Sequence, residues 1–63
     1  MPKVVIEIET ENAAFEGVDR DRELARILRM LAAKMMDKYE YGLDYSPNLF
    51  DVNGNRVGTI RFE

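Results

Sequence analysis

Residues 19–36 read DRDRELARILRMLAAKMM and form the segment on which the fold depends, because no other stretch is long and periodic enough for a helix. At about 100° per residue, its large apolar side chains fall on one arc of a helical surface. We expect this arc to face the core. Its members are Leu24, Ile27, Leu28, Leu31 and Met35, with Ala32 and Tyr39 at its shoulder and Met36 near it.

The start and the end of this helix carry their own signals. Asp19 is predicted as the N-cap, and Asp21 and Glu23 add negative charge to the first turn, where the helix dipole favours it. Gly42 is the predicted terminator, with Lys38 in the preceding turn. Residues 37–48 therefore end the helix and lead into a turn at residues 46–48.

The sequence before the helix predicts one strand and a loop. Residues 1–10, MPKVVIEIET, alternate in polarity, which is typical of a half-buried strand. Val4, Ile6 and Ile8 share the face that we expect to point inwards. Residues 11–18 lose the alternation and predict a loop, with Phe15 as its anchor in the core.

The sequence after the helix predicts a hairpin, LFDVNGNRVGTIRFE, around Asn53-Gly54. A two-residue turn pairs Phe50 with Val57, which places Val57 on the opposite face from Ile60. A bulge at Gly58 would bring both to the core, and a three-residue turn is the alternative. The sequence leaves this choice open.

These elements predict a single α+β mini-domain over residues 1–63, a two-layer β-α-β-β fold with one helix packed on a three-stranded antiparallel sheet. We favour the strand order 1-3-2, because it lets Ile60 and Phe62 meet the apolar side of the first strand. Arg61 then lies on the outer face near Glu7 or Glu9. The order 1-2-3 with a right-handed crossover is the competing topology.

The amino-acid composition excludes several kinds of catalytic and metal site. The 63 residues include no Cys and no His, which removes disulfides, thiol nucleophiles, the usual zinc ligands and the commonest general base. D-x-N-x-N at residues 51–55 resembles the opening of a calcium loop, but Arg56 and Phe62 stand where that loop needs glycine and a bidentate acid. No apolar run is long enough for a membrane span. We therefore expect a cytoplasmic, non-enzymatic protein without metal or cofactor.

Two surfaces remain as candidates for contact with a partner. The side of the helix opposite the core carries Arg22, Arg26 and Arg29, together with apolar Met30 and Ala33. Tyr41, Leu43 and Tyr45 follow within a few residues, whereas Tyr39 and Met36 are assigned to the core. Tyr, Met and Arg are enriched at protein interfaces. The net charge of -3 and the interspersed acids argue against nucleic acid as the main partner.

Three stretches, IEIETENAAFEG, ELARILRMLA and DVNGNRVG, resemble a pattern found in short, mostly uncharacterised open reading frames of tailed bacteriophages and prophages. Those frames have a strand ending in T-x-N-A-A-F, a helix written A-R-I-L-R-x-L-A and a D-x-N-G-N-x-V-G hairpin. The likeness covers roughly 30 of the 63 positions and excludes the tyrosines. The resemblance does not imply any enzymatic activity, because these reading frames have none to transfer.

The resemblance implies a small phage protein that binds a host protein, for instance to inhibit transcription or a defence system such as CRISPR or restriction. Two alternatives remain open from the residues alone. The three helix arginines would serve a nucleic-acid accessory protein. An edge of the sheet, or the patch of Met30 and Ala33, would serve a self-assembling homodimer.

Overall fold

The computed structural model describes residues 3–17 and 19–63. It contains strand β1 (Val4–Ile8), a short 3-10 helix (Ala13–Phe15), helix α1 (Asp19–Tyr41), strand β2 (Asn48–Phe50) and strand β3 (Arg56–Phe62). The strands form one antiparallel sheet in the order β1-β3-β2. The predicted α+β class and strand order are confirmed, while the predictions for Met1, Pro2 and Val18 lie outside the described residues.

Strand β3 lies at the centre of the sheet. Its register against β1 places Ile60 opposite Ile6 and Phe62 opposite Val4, as the alternation of both strands predicts. On the outer face, Arg61 forms an ion pair with Glu7, one of the two acids expected there. Residues directly opposite in an antiparallel pair share one face of the sheet.

The hairpin contains both the three-residue turn and the bulge, which the sequence leaves open as alternatives. The backbone N–H of Asp51 donates to the carbonyl oxygen of Asn55 at 2.9 Å, so three residues form the turn, and Gly54 adopts a φ of +85°. The ladder then skips one residue of β3, pairing Phe50 with Arg56 but Leu49 with Gly58. Val57 is the extra residue at this bulge, and it is buried. Turn and bulge together bring Val57 and Ile60 into the same core.

Gly58 marks a close approach between β1 and β3. A Cβ atom at this position would lie 1.9 Å from the carbonyl oxygen of Glu7 and 3.0 Å from the Cα of Ile8. These are backbone atoms, so they cannot move aside without separating the strands. Only glycine fits here.

The core is small and lies between α1, the 3-10 helix and the β2–β3 half of the sheet. Phe15 is buried, as its predicted role as loop anchor requires. The other buried apolar side chains are Ile27, Leu31, Leu49, Val57 and Ile60, and Ile8, Ala14, Leu24, Met35 and Tyr45 pack around them partly buried.

Four side chains assigned to the core are instead about half exposed: Val4, Ile6, Leu28 and Phe62. The cause is the position of α1, which lies closest to β2 and the 3-10 helix. The helix-facing side of β1 is therefore left largely uncovered. The prediction that this strand packs its alternating face into the core is correct for Ile8 alone.

The C-terminal part of α1 extends past the sheet. With 23 residues, α1 is about 34 Å long, which nearly equals the longest dimension of the molecule, 36 Å. The prediction that Tyr39 and Met36 belong to the core is wrong: they are 85% and 52% exposed, because the sheet does not reach them. The helix ends as predicted at Gly42, whose N–H donates to the Lys38 carbonyl at a φ of +73°.

The beginning of α1 differs slightly from the prediction. Asp19, expected as the N-cap, is the first helical residue, and Asp21 lies in the same first turn. Within the described part of the chain, no helix has the length and apolar character needed to cross a bilayer.

Candidate functional site

An open groove lies between the N-terminal half of α1 and the two segments that pack beside it. It encloses about 670 Å³. We call it the arginine groove, because the three arginines among the predicted contact residues, Arg22, Arg26 and Arg29, line it together with a fourth, Met30. Its other lining residues are Asp19, Glu23 and Ala25 from α1, Ala13 and Ala14 from the 3-10 helix, and Val52 from the hairpin.

The floor of the groove is an ion pair between Glu23 and Arg26. Arg26 donates through Nε to Glu23 Oε1 at 2.6 Å and through Nη2 to Glu23 Oε2 at 3.1 Å. The second carboxylate oxygen also accepts the Val52 backbone N–H at 2.7 Å. Arg26 further donates to the carbonyl of Phe50 at 3.2 Å. Glu23 and Arg26 thus join α1 to the hairpin, and a two-bond arginine–carboxylate pair holds both groups in one geometry.

The hairpin side of the groove is braced by a second buried carboxylate, Asp51. Its Oδ1 accepts the backbone N–H groups of Asn53 and Asn55, at 3.0 and 2.8 Å. Its Oδ2 accepts the side-chain amides of Asn12, at 2.8 Å, and Asn55, at 3.3 Å. Asn12 in turn accepts from the Ala14 N–H and caps the 3-10 helix. The motif that resembles a calcium loop is therefore a hydrogen-bonded turn that ties the hairpin to the loop after β1.

Hydrogen bonding keeps both carboxylates ionised. The bond from Arg26 is the main reason that the pKa of Glu23 lies below its ordinary value of 4.5, against the opposing effect of burial. Burial raises the pKa of Asp51, but hydrogen bonds from Asn55, Asn53 and Asn12 outweigh it, so the pKa falls below the usual 3.8. The pKa of Arg26 is raised by the same pair. The floor therefore carries a fixed ion pair in which Glu23 and Arg26 neutralise each other.

The rim of the groove presents groups that are accessible to a partner. The Arg22 side chain is 84% exposed, and its only close acid among the described residues is Asp19, at 3.9 Å. Arg29 is also exposed, about two turns of helix further along α1. Two exposed apolar side chains line the same groove, Met30 on α1, 47% exposed, and Val52 on the hairpin, 66% exposed. The rim thus combines two accessible guanidinium groups with two exposed apolar side chains.

The remaining predicted contact residues do not belong to this groove. Ala33 is exposed on α1 beyond Met30, outside the groove lining. Tyr41 and Leu43 are exposed at the far end of the helix, and Tyr41 lies about 22 Å along the axis from Arg26. Tyr45 is partly buried against the core. Tyr39 and Tyr41 lie in the last turns of α1, so of the three tyrosines Tyr45 alone belongs to the segment that follows the helix.

Sequence reasoning missed the residues that shape the groove. Glu23 was interpreted as a surface charge of the first turn, yet it is buried. A signal was present, because Glu23 precedes Ile27 and Leu31 at intervals of four and so shares their buried side of the helix. Val52 carried no comparable signal, since only the docking of the hairpin brings it next to α1.

The exposed chemistry of the groove suits binding. Guanidinium groups at Arg22 and Arg29 pair with carboxylates or phosphates, and Met30 with Val52 offers an adaptable apolar contact. Its two buried carboxylates are fully engaged in hydrogen bonds, Glu23 with three and Asp51 with four. No protein-family model, curated protein or solved structure matches this chain.

Proposed function

We propose that this protein is a small, phage-encoded, non-enzymatic binding module that contacts a host protein through the arginine groove. It would act in the host cytoplasm as a host-takeover or anti-defence inhibitor, of which an anti-CRISPR protein is one type. The observation that carries the proposal is the rim of the groove. There the exposed Arg22 and Arg29 line the same groove as the apolar side chains of Met30 and Val52, over a floor held by hydrogen bonds.

The floor matters because a rigid site loses little entropy when it binds. Arg26 is held by Glu23 and by the Phe50 carbonyl, and the Val52 backbone is held by Glu23. A partner therefore meets a preformed shape, which is a main determinant of affinity at a fixed contact area.

The groove chemistry favours an acidic protein surface over a nucleic acid. Arg26 is neutralised by Glu23, so only two of the three arginines face outwards without a strong partner in the described structure. Asp19 lies in the same groove and the chain has a net charge of -3, both of which oppose a phosphate backbone. Met30 and Val52 instead match an apolar side chain between two carboxylates.

The phage context comes from the resemblance of the strand end, the helix and the hairpin. These three stretches contain most of the residues that build the groove, including Glu23, Arg26, Asp51 and Val52. The resemblance therefore supports a role for the groove in binding. It does not support a role for the exposed tyrosines, which lie outside the three matching stretches.

The experiment uses the tagged chain as bait in host lysate, with two triple variants of equal charge change. The groove variant carries Arg22→Glu, Arg29→Glu and Met30→Asp. The matched control carries Arg20→Glu, Lys34→Glu and Met36→Asp, at exposed positions outside the groove lining. Circular dichroism verifies that both variants are folded.

We expect the wild type and the control to retain the same host protein and the groove variant to lose it. Titration with that purified protein should then show an affinity loss of at least about tenfold for Arg29→Ala alone, since buried arginine contacts are frequent hot spots. Equal retention by all three baits, or retention by none, would contradict the proposal. A gel shift of DNA at low salt that Arg22→Glu and Arg29→Glu abolish would favour the nucleic-acid alternative instead.

A further inference from the structure

Among the described residues, the backbone groups along the outer edge of β1 are unpaired at regular intervals. Lys3 and Glu63 exchange both backbone hydrogen bonds, and the Glu9 N–H donates to Val57. Bonding pairs therefore fall on the odd-numbered residues of β1, which point their N–H and C=O groups towards β3. The groups of Val4, Ile6 and Ile8 consequently point away from the sheet, where β1 is an edge strand.

The side chains of the same residues form an apolar margin. Val4 is 49% exposed and Ile6 is 43% exposed. Both lie on the face of the sheet that α1 covers at β2 and β3 but leaves open at β1. Phe62 lies opposite Val4 and is similarly exposed. Leu28 of α1 lies next to this margin. Arg26 and Leu28 project to opposite sides of the buried Ile27, and Arg26 contacts β2, so Leu28 projects towards β1.

Edge strands are normally protected against pairing by an inward charge, a proline or a bulge. The inward positions of β1 hold only Val4, Ile6 and Ile8, and its register against β3 is regular. This edge therefore has both the backbone pattern and the side chains of a strand that accepts another strand.

We propose that the edge of β1 pairs with β1 of a second copy of this chain, antiparallel, about a two-fold axis at Ile6. Ile6 then faces Ile6 of the second copy, and Val4 faces Ile8 of the second copy. Both pairs use the backbone groups that point outwards, so each can exchange two hydrogen bonds. The two sheets become one continuous sheet across the axis.

Charge complementarity selects this register. On the outer face, the axis at Ile6 sets Lys3 opposite Glu9 of the second copy, at both ends of the seam. An axis at Glu7 would place two Glu7 carboxylates together. An axis at Val5 keeps a favourable charge pair but shortens the overlap of the strands. The arrangement at Ile6 is self-complementary, as a closed two-fold dimer requires.

This interface is separate from the arginine groove, which lies beside the opposite edge of the sheet at the hairpin. A dimer would carry two grooves, and none of the described residues that line a groove belongs to β1. The inference does not rest on the proposed function, and variants of one surface leave the other intact.

The first experiment measures mass in solution. Light scattering and sedimentation should give twice the chain mass of 7.3 kDa for the wild type. Ile6→Lys should raise the dimer dissociation constant at least tenfold, because it places two ammonium groups at the axis, while Met36→Lys on the exposed helix end should leave it unchanged. A wild type that is monomeric at millimolar concentration would overturn the proposal, as would a dimer that tolerates Ile6→Lys.

The second experiment locates the axis by crosslinking, which the absence of native cysteine makes simple. Opposite residues of a hydrogen-bonded pair are ~5.5 Å apart, within reach of a disulfide. Ile6→Cys should therefore form a covalent dimer under mild oxidation, whereas Val4→Cys and Ile8→Cys should not. Crosslinking at Val4 or Ile8 without Ile6 would exclude this axis. Lys3→Glu should weaken the dimer, and adding Glu9→Lys should restore it.

Discussion

The side chains of Asn12 and Asp51 are separated by 39 positions in the sequence and joined by a 2.8 Å hydrogen bond in the fold. Asn12 caps the 3-10 helix, and Asp51 organises the turn of the hairpin. One amide thus links the loop after β1 to the loop before β3. The arginine groove is bounded by both segments, so its shape depends on this contact.

Replacing Asp51 by asparagine should destabilise the protein strongly. The new amide would present a donor where the carboxylate accepts bonds from Asn12 and Asn55. We expect the melting temperature to fall by on the order of 10 °C. Asp44→Asn is the matched control, since Asp44 is 87% exposed and pairs only with Lys38 in the described structure. Similar melting temperatures for the two variants would show that Asp51 does not brace the hairpin.

Gly58→Ala should prevent stable folding. Its methyl group would overlap the Glu7 carbonyl, so the strands β1 and β3 would have to separate. Overpacking of this kind costs about 3 kcal/mol or more, and a chain of 63 residues has a total stability of only about 3–9 kcal/mol. Thr59→Ala, in the same strand, is the control and should remain folded by circular dichroism. A folded Gly58→Ala variant with native stability would refute the close approach.

Acid should destabilise the fold through Glu23 and Asp51. Both have pKa values below the ordinary 4.5 and 3.8, so the unfolded chain binds protons that the folded chain does not. Their contribution is complete above pH 4.5 and is lost as the pH falls past the ordinary values and through the lowered ones. Thermal melts between pH 7 and about pH 2.5 should show this loss. The double variant Glu23→Gln, Asp51→Asn should show a flatter profile, and an equally steep one would exclude these two groups as the cause.

Arg26 should matter for stability, whereas Arg22 and Arg29 should not. Arg26→Ala leaves the buried Glu23 carboxylate with the Val52 N–H as its remaining donor among the described residues. We expect a loss of about 2 kcal/mol, less than for a fully buried pair because the Arg26 side chain is 34% exposed. Arg22→Ala and Arg29→Ala should change the free energy of unfolding by less than about 0.5 kcal/mol. Urea titration of the three variants distinguishes these roles.

Two leucines on α1 provide a test of where the core ends. Leu31 is 5% exposed and Leu28 is 44% exposed, although both lie on the arc predicted to be buried. Leu31→Ala should cost about 2–5 kcal/mol, and Leu28→Ala about 1 kcal/mol or less in the monomer. Equal losses at dilutions where the chain is monomeric would mean that α1 covers β1 after all.

The sequence predicted most of the fold because its signals are local. Alternation in β1, the helical period of α1 and the glycine that ends it depend on neighbours within a few residues. The strand order followed from matching apolar faces. Hairpin register could not be predicted, since the three-residue turn and the bulge at Val57 each shift the pairing by one residue. Only the core selects the combination that buries both Val57 and Ile60.

The candidate site likewise has features that the sequence predicts and features that depend on the tertiary structure. Helical geometry alone placed Arg22, Arg29 and Met30 away from the buried arc, and the fold keeps them there. Only the tertiary structure decided that Arg26 is held by Glu23, and that the hairpin brings Val52 beside them. It also left Tyr39 beyond the sheet, because the sheet is shorter than the helix. Periodicity states which side of a helix is apolar, but the reach of the partner layer determines how much of that side is covered.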